Sequence, residues 1–363
     1  MRRLRLRLPA RLGLHLLCLV PELLIATGPF VIQSVATQTG RPRFRMPDFF
    51  YGGQALIEGV MMRGRTTVAM SVRPSDGVIR TYSEPLPAAL THSRLVRIPF
   101  VRGVFVLYET LVIGTRMLMR SAAIAAEGVD VQISRGMLAV TMVFSLGFAV
   151  ALFFVLPLVL SSLASGRGNA DWLANVIEGG IRLVLFIAYI AAIGLMPDVK
   201  RVFAYHGAEH KAISTHEARE PLTPTSVDRF STAHTRCGTT FILIVVVISI
   251  FFFGLVPRQG VPLVLLFASR IVLIPVIAAA AYELVRFGAS HYGSRLVRAL
   301  YAPGLWLQSL TTRAPDHSML EVSISSLESC LAADRAAAGG GTANEVGTAP
   351  EVAVVDPTIG IVP

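Results

Sequence analysis

The stretch RGMLAVTMVFSLGFAVALFFVLPLVLSSLASGR, residues 135–167, carries no charge between its two terminal arginines. About 20 consecutive apolar residues suffice for a helix to cross the hydrocarbon core of a bilayer, so residues 136–166 read as a membrane span. Three more follow in the same register of reasoning. Residues 183–197, bounded by Arg182 and Asp198, are short and need Arg182 to snorkel towards the interface. Residues 237–257 and about 261–282 are separated only by Pro257-Arg258-Gln259-Gly260, which makes them an antiparallel hairpin. Composition agrees: 53% of the 363 residues are hydrophobic and 15% charged, with a mean hydropathy of +0.61. Soluble domains carry about 25% charged residues. The expected fold is therefore mainly α, a polytopic helical membrane protein with about four transmembrane helices.

The net charge of +10 does not mark a nucleic-acid groove. Residues 1–45 hold eight arginines (2, 3, 5, 7, 11, 41, 43 and 45) against Glu22, so the excess lies mostly in a basic leader. Between the second and third spans, residues 198–236 hold Lys200, Arg201, Lys211, Arg219, Arg229 and Arg236, whereas the other links hold mainly Arg167 and Arg258. The positive-inside rule then puts the 198–236 loop and both termini in the cytoplasm of a bacterial inner membrane. Cys18, Cys237 and Cys330 are odd in number and far apart, which excludes a disulfide framework and fits a reducing compartment.

Outside the spans the chain divides by composition. Residues 1–50 are an Arg-rich leader without a clean cleavage signal. Residues 51–98 should form a small cytoplasmic β element, with strands at Thr66–Arg73 and Val78–Ser83 around the Pro74-Ser75-Asp76-Gly77 turn. Residues 99–135 open with PFVRGVFVLYETLVIGTRMLMR, apolar but interrupted by Arg102, Glu109 and Arg116. That is a helix lying in the interface or packed on the protein. Residues 286–332 form a C-terminal cytoplasmic segment with a helical stretch at Leu320–Ala332, and 333–363 read as a disordered tail.

Chemistry concentrates in the basic loop. Four of the eight histidines, His206, His210, His216 and His234, fall within 29 residues. His206-Gly207-Ala208-Glu209-His210 has the form H-x-x-E-H, and on a helix continuing from the second span positions i and i+4 share a face. Two imidazoles could then reach one ion while Glu209 serves as base, the inverted zinc-peptidase pattern. His234 and Cys237, at the start of the third span, are the candidates to complete the set. Imidazole with thiolate favours zinc over magnesium or calcium. Arg270 lies inside the fourth span, where snorkelling or pairing within the bundle is the expected state and a substrate pathway the alternative.

Four separated segments resemble the YqhQ family of bacterial membrane proteins, described as predicted metal-dependent enzymes. They are YGGQALIEGVMMRG at 51–64, YHGAEHK at 205–211, HTRCGT at 235's flanks (234–239), and PGLWLQ followed by Leu310, Thr311, Thr312 and Arg313 at 303–313. The resemblance covers about residues 50–330. It implies a metal site on His206, His210, His234 and Cys237 with Glu209 as base, and supplies no substrate. After Arg313 the family pattern is more acidic than Ala314-Pro315-Asp316-His317, so acids there are not expected to complete the site. Glu58 and Arg63, from the first segment, could line the same cavity.

The leading expectation is thus a membrane-embedded zinc hydrolase of unknown substrate. The alternative is a non-enzymatic scaffold or regulator with a structural metal. A transporter, a weaker third, would call for a homo-oligomer. The bilayer is the expected partner, and nucleic acid is not.

Overall fold

A computed structural model describes residues 49–87, 98–126, 135–164 and 171–338. The Arg-rich leader and the chain beyond Ala338 lie outside the described residues. Four strands come first: β1 Gly52–Leu56, β2 Gly59–Arg63, β3 Thr67–Val72 and β4 Arg80–Pro85. Then follow α1 Val101–Ala125, α2 Arg135–Val150, a π-helical turn Ala151–Val155, and α3 Leu156–Ala164. The chain continues through α4 Asp171–Ile193, α5 Pro197–Glu217, α6 Pro224–Asp228, α7 Gly238–Gly254, α8 Leu263–Ser290, α9 Arg295–Thr311 and α10 His317–Ala338.

The strands make one antiparallel meander in the order β1-β2-β3-β4. Successive side chains point to opposite faces, and both faces are covered. Val60, Met62 and Ala69 face a core shared with α5 and α10, including Tyr205, Ala208, Leu320 and Leu327. Met61, Val68, Met70 and Val72 face Ile113, Met117 and Ile124 of α1. This double burial explains why β2 escapes a reading based on alternation, while β1, Gly52-Gly53-Gln54-Ala55-Leu56, is glycine-rich and mostly part-exposed; only the β3–β4 hairpin was expected. The β1–β2 turn also lacks turn residues: Glu58 occupies a left-handed conformation (φ 51°). Arg201 holds it there, donating to both carboxylate oxygens at 2.7 and 2.5 Å, with the Tyr205 hydroxyl at 3.3 Å.

Three helical segments are long and apolar enough to cross a membrane: Val143–Leu163, Asp171–Ile193 and Leu263–Gly288. A shorter apolar helix, α7, packs beside them with 17 residues. Their outward surfaces are greasy, with Phe144 74% and Val264 76% exposed. A soluble protein would not leave so continuous an apolar surface bare. Helix α1 bridges the two parts. Its first turns lie on α8, where Arg102 pairs with Glu283, and its last turns cover the sheet.

The second span begins eleven residues earlier than the expected Arg182 boundary, at Asp171. Arg182 does not snorkel. It is 4% exposed and donates to Glu178 one turn earlier at 2.6 Å, so the two charges are carried inside the helix as a pair. Arg182 also donates Nε to the carbonyl of Phe153, in the π-helical turn, at 2.8 Å. Arg270 is fully buried and donates to Glu178 at 2.8 Å, the pairing expected for it.

Helix α5 starts afresh at Pro197 after the Gly194-Leu195-Met196 turn and does not continue from α4. Helix α10 runs to Ala338, past the expected Ala332 boundary, because Asp334 is tied to the sheet. Its carboxylate accepts from the Tyr51 hydroxyl (2.9 Å), the Thr66 hydroxyl (2.7 Å), and the backbone N–H groups of Arg65 and Thr66 (2.8 and 3.0 Å). Burial alone would raise the Asp334 pKa, but these donors outweigh it and hold it below 3.8. A depressed carboxyl stabilises the fold above its unfolded pKa, and the contribution fades as pH falls through the lower folded value. Asp334→Asn should therefore lower the unfolding temperature by about 2–4 °C for each kcal/mol lost at pH 7. The gap to wild type should close towards pH 3. A gap that persists unchanged there would show that the charge contributes nothing.

Candidate functional site

Helix α5 carries the H-x-x-E-H segment on a face turned towards the start of α7, and the link from α9 to α10 lies along its flank. That link comes close. The amide of Arg313 donates to the Phe203 carbonyl at 2.9 Å, and a Cβ at Gly207 would collide with the Arg313 carbonyl. Only glycine permits this approach. The approach in turn brings the Thr311 carbonyl to His206, whose Nδ1–H donates to it at 2.9 Å. His210 repeats the arrangement, donating Nδ1–H to the Thr232 carbonyl at 2.5 Å. A ring that donates from Nδ1 presents its Nε2 lone pair on the other side, the disposition usual in metal-binding histidines.

Those Nε2 atoms meet Cys237. Its sulfur lies 3.2 Å from His206 Nε2, and one donor atom from each of His206, His210 and Cys237 lies within 4.8 Å of the others. Cys237 is 4% exposed and caps α7, with Sγ accepting from the Thr239 amide at 3.4 Å. His234 sits next to this trio, its ring centroid 5.6 Å from that of His210 and its Nε2 3.5 Å from Glu217. Of the four expected ligands, three converge and the fourth flanks them.

Glu209 points into the same place. Its Oε2 lies 3.5 Å from His210 Nε2. Burial pushes its pKa up, partly offset by His206, His234 and a hydrogen bond from the Gly53 amide. A Cβ on Gly53 would lie 2.7 Å from Glu209 Cγ and 2.6 Å from the Met61 carbonyl, so strand β1 can cover the carboxyl only as glycine. Burial also pushes the pKa of His210 and His234 down, keeping both imidazoles neutral and able to act as ligands. All these groups line one cavity of about 220 Å³, with Arg236 on its wall. Arg236 pairs with Glu217 and stacks on Phe50 at 4.1 Å, and burial holds its pKa down to about 10.

Glu58 and Arg63 do not reach this cavity. Glu58 is held by Arg201, about two turns before Glu209 on α5, and Arg63 lies over the Phe49 ring at 5.8 Å. His216 packs edge-on against Tyr51 instead of joining the donors. A residue to which the sequence assigned no role proves central: Gln308 of α9, fully buried. It accepts from the His234 amide and donates to the His234 carbonyl, both at 2.8 Å, and donates to the Thr240 hydroxyl at 2.9 Å. An amide side chain on the buried stripe of α9, among Val297, Gly304 and Leu307, was the signal available.

The comparisons with known proteins cover the helices that carry the His/Cys donors. A family model described as "Protein of unknown function (DUF1385)" matches residues 98–333, from the start of α1 to within α10. The protein named "Uncharacterized protein YqhQ" from Bacillus subtilis (strain 168) is 32% identical over 297 residues, covering 77% of this chain and 92% of that one. No solved structure matches. With more than half of its length inside the family model, this chain belongs to the DUF1385 family.

Proposed function

We propose that the chain is a multi-pass enzyme of a bacterial inner membrane that holds one zinc ion between α5 and the start of α7 and uses it for hydrolysis. The observation carrying this reading is the convergence of His206, His210 and Cys237 beside the buried carboxyl of Glu209 on one cavity wall. The donor set fits the metal. Two neutral imidazoles and one thiolate suit zinc, and three protein ligands leave a position open, as in catalytic sites. When bound, zinc supplies Lewis acidity.

The chain's own groups do the rest. The Thr311 and Thr232 carbonyls fix the ring orientations, so the ligand atoms are placed in advance. Glu209, with its proton affinity raised by burial, is suited to take a proton from a nucleophile in the cavity and return it to a leaving group. Sheet and helix exclude bulk water from that carboxyl. The six basic residues of 198–236 support a cytoplasmic location for the site, with four passes if α7 is counted and both termini on the same side.

A second reading is a scaffold knotted by a structural metal. The position of His234, one ring away from His210, favours it, since a small rotation would supply a fourth ligand.

Purified protein should contain about one zinc per chain, and the His206→Ala/His210→Ala double variant should contain none by elemental analysis. Equal metal in both would remove the site. Glu209→Gln should keep the zinc and lose activity about 10²–10⁴-fold, read as failure to complement a deletion strain. Full complementation by that variant would favour the scaffold.

A further inference from the structure

Inside the helix bundle, well away from the histidines in sequence, the charges do not balance. Arg182, Arg258 and Arg270 converge on the single carboxylate of Glu178, at 2.6, 3.6 and 2.8 Å. Side-chain exposures are 5%, 9% and 0% for the arginines and 1% for Glu178. The other acid nearby, Asp171, accepts through Oδ2 from the backbone amides of Arg258 (3.0 Å) and Gln259 (3.5 Å). Among the described residues, three cations therefore face two anions in a medium where excess charge is costly.

Two of the three guanidinium groups are fully engaged. Arg182 donates to Glu178, to the Phe153 carbonyl and to Ser249. Arg270 donates to Glu178, Asn175 and Ser269. The Phe253 ring lies against both, at 4.9 and 4.5 Å. Arg258 is the exception. Its Nη2 donates to the Ser161 hydroxyl at 3.0 Å, while its Nη1 is buried and has no hydrogen-bond partner among the described residues. An orphaned N–H on a buried cation is a costly arrangement and needs an acceptor.

Position narrows what that acceptor is. Arg258 lies in the link between α7 and α8, at the end of α7 opposite Cys237, where Ser161 of α3 and Asp171 of α4 also meet. We propose that Arg258, positioned by Ser161, binds a phosphate group at the membrane face opposite the His/Cys cavity. A planar guanidinium matches phosphate oxygens with two parallel hydrogen bonds. A singly charged phosphodiester would supply the Nη1 acceptor and bring three cations against three anions. The phosphate of an anionic lipid headgroup meets that requirement at this depth, and a free phosphate shares the chemistry. The inference does not depend on the metal site.

The test uses full-length protein purified in a neutral detergent and stripped of lipid. Native mass spectrometry follows binding of phosphatidylglycerol and of phosphatidylcholine, and thermal unfolding follows inorganic phosphate. Wild type should bind one phosphatidylglycerol, and Arg258→Gln should bind it at least tenfold more weakly. A thermal shift with inorganic phosphate alone, absent from Arg258→Gln, would assign the site to free phosphate. If Arg258→Gln fails to fold, Arg258→Lys, which keeps the charge but loses the fork, should bind several-fold more weakly. Equal binding by wild type and a folded variant, or no binding of either probe by wild type, overturns the proposal.

Discussion

Two backbone carbonyls, those of Thr311 and Thr232, decide which way the imidazoles of His206 and His210 face. Each accepts the Nδ1 proton, and each therefore leaves an Nε2 lone pair directed at Cys237. The rest of the site depends on how those carbonyls are delivered. Thr311 arrives because α9 ends where the chain can lie against α5 at Gly207. Thr232 arrives through the segment leading into α7, which Gln308 clamps at His234 from both its amide and its carbonyl. The sheet-bearing and membrane-facing parts are thus joined at the donors themselves. Helix α5 belongs to the sheet module, while Cys237 caps an apolar bundle helix.

The bundle shows the same economy of polar groups. An isolated Arg182 or Arg270 would be expensive in an apolar interior, and breaking such a buried pair typically costs about 3–5 kcal/mol. Glu178 pairs with both from within α4, Ser249 and Asn175 take up further N–H groups, and the π-helical turn offers the Phe153 carbonyl. Turns of this kind free a carbonyl from the regular ladder and often mark functional positions.

Spacing within one element was legible. The uncharged run from 136 to 166, the His206–His210 pair and the β3–β4 hairpin could all be read locally. Arg182 misled because the snorkelling rule treats a charge as a boundary, whereas Glu178, one turn earlier, makes it internal. Strand β2 was invisible to alternation because Val60, Met61 and Met62 are all buried, against different partners on the two faces. Long-range ties had no local signature. Asp334 bonds across 268 residues to Thr66, and Gln308 across 74 to His234. His234 and Cys237 were placed in the right neighbourhood by chain proximity, but which of them completes the trio is set by tertiary packing.

X-ray absorption at the zinc edge of the purified protein tests the central claim most directly, because it reports the atoms bound to the metal. Two imidazole nitrogens, one sulfur at about 2.3 Å and one light oxygen-type ligand would match His206, His210 and Cys237 with an open position. A shell without sulfur, or with more than one, would contradict the account.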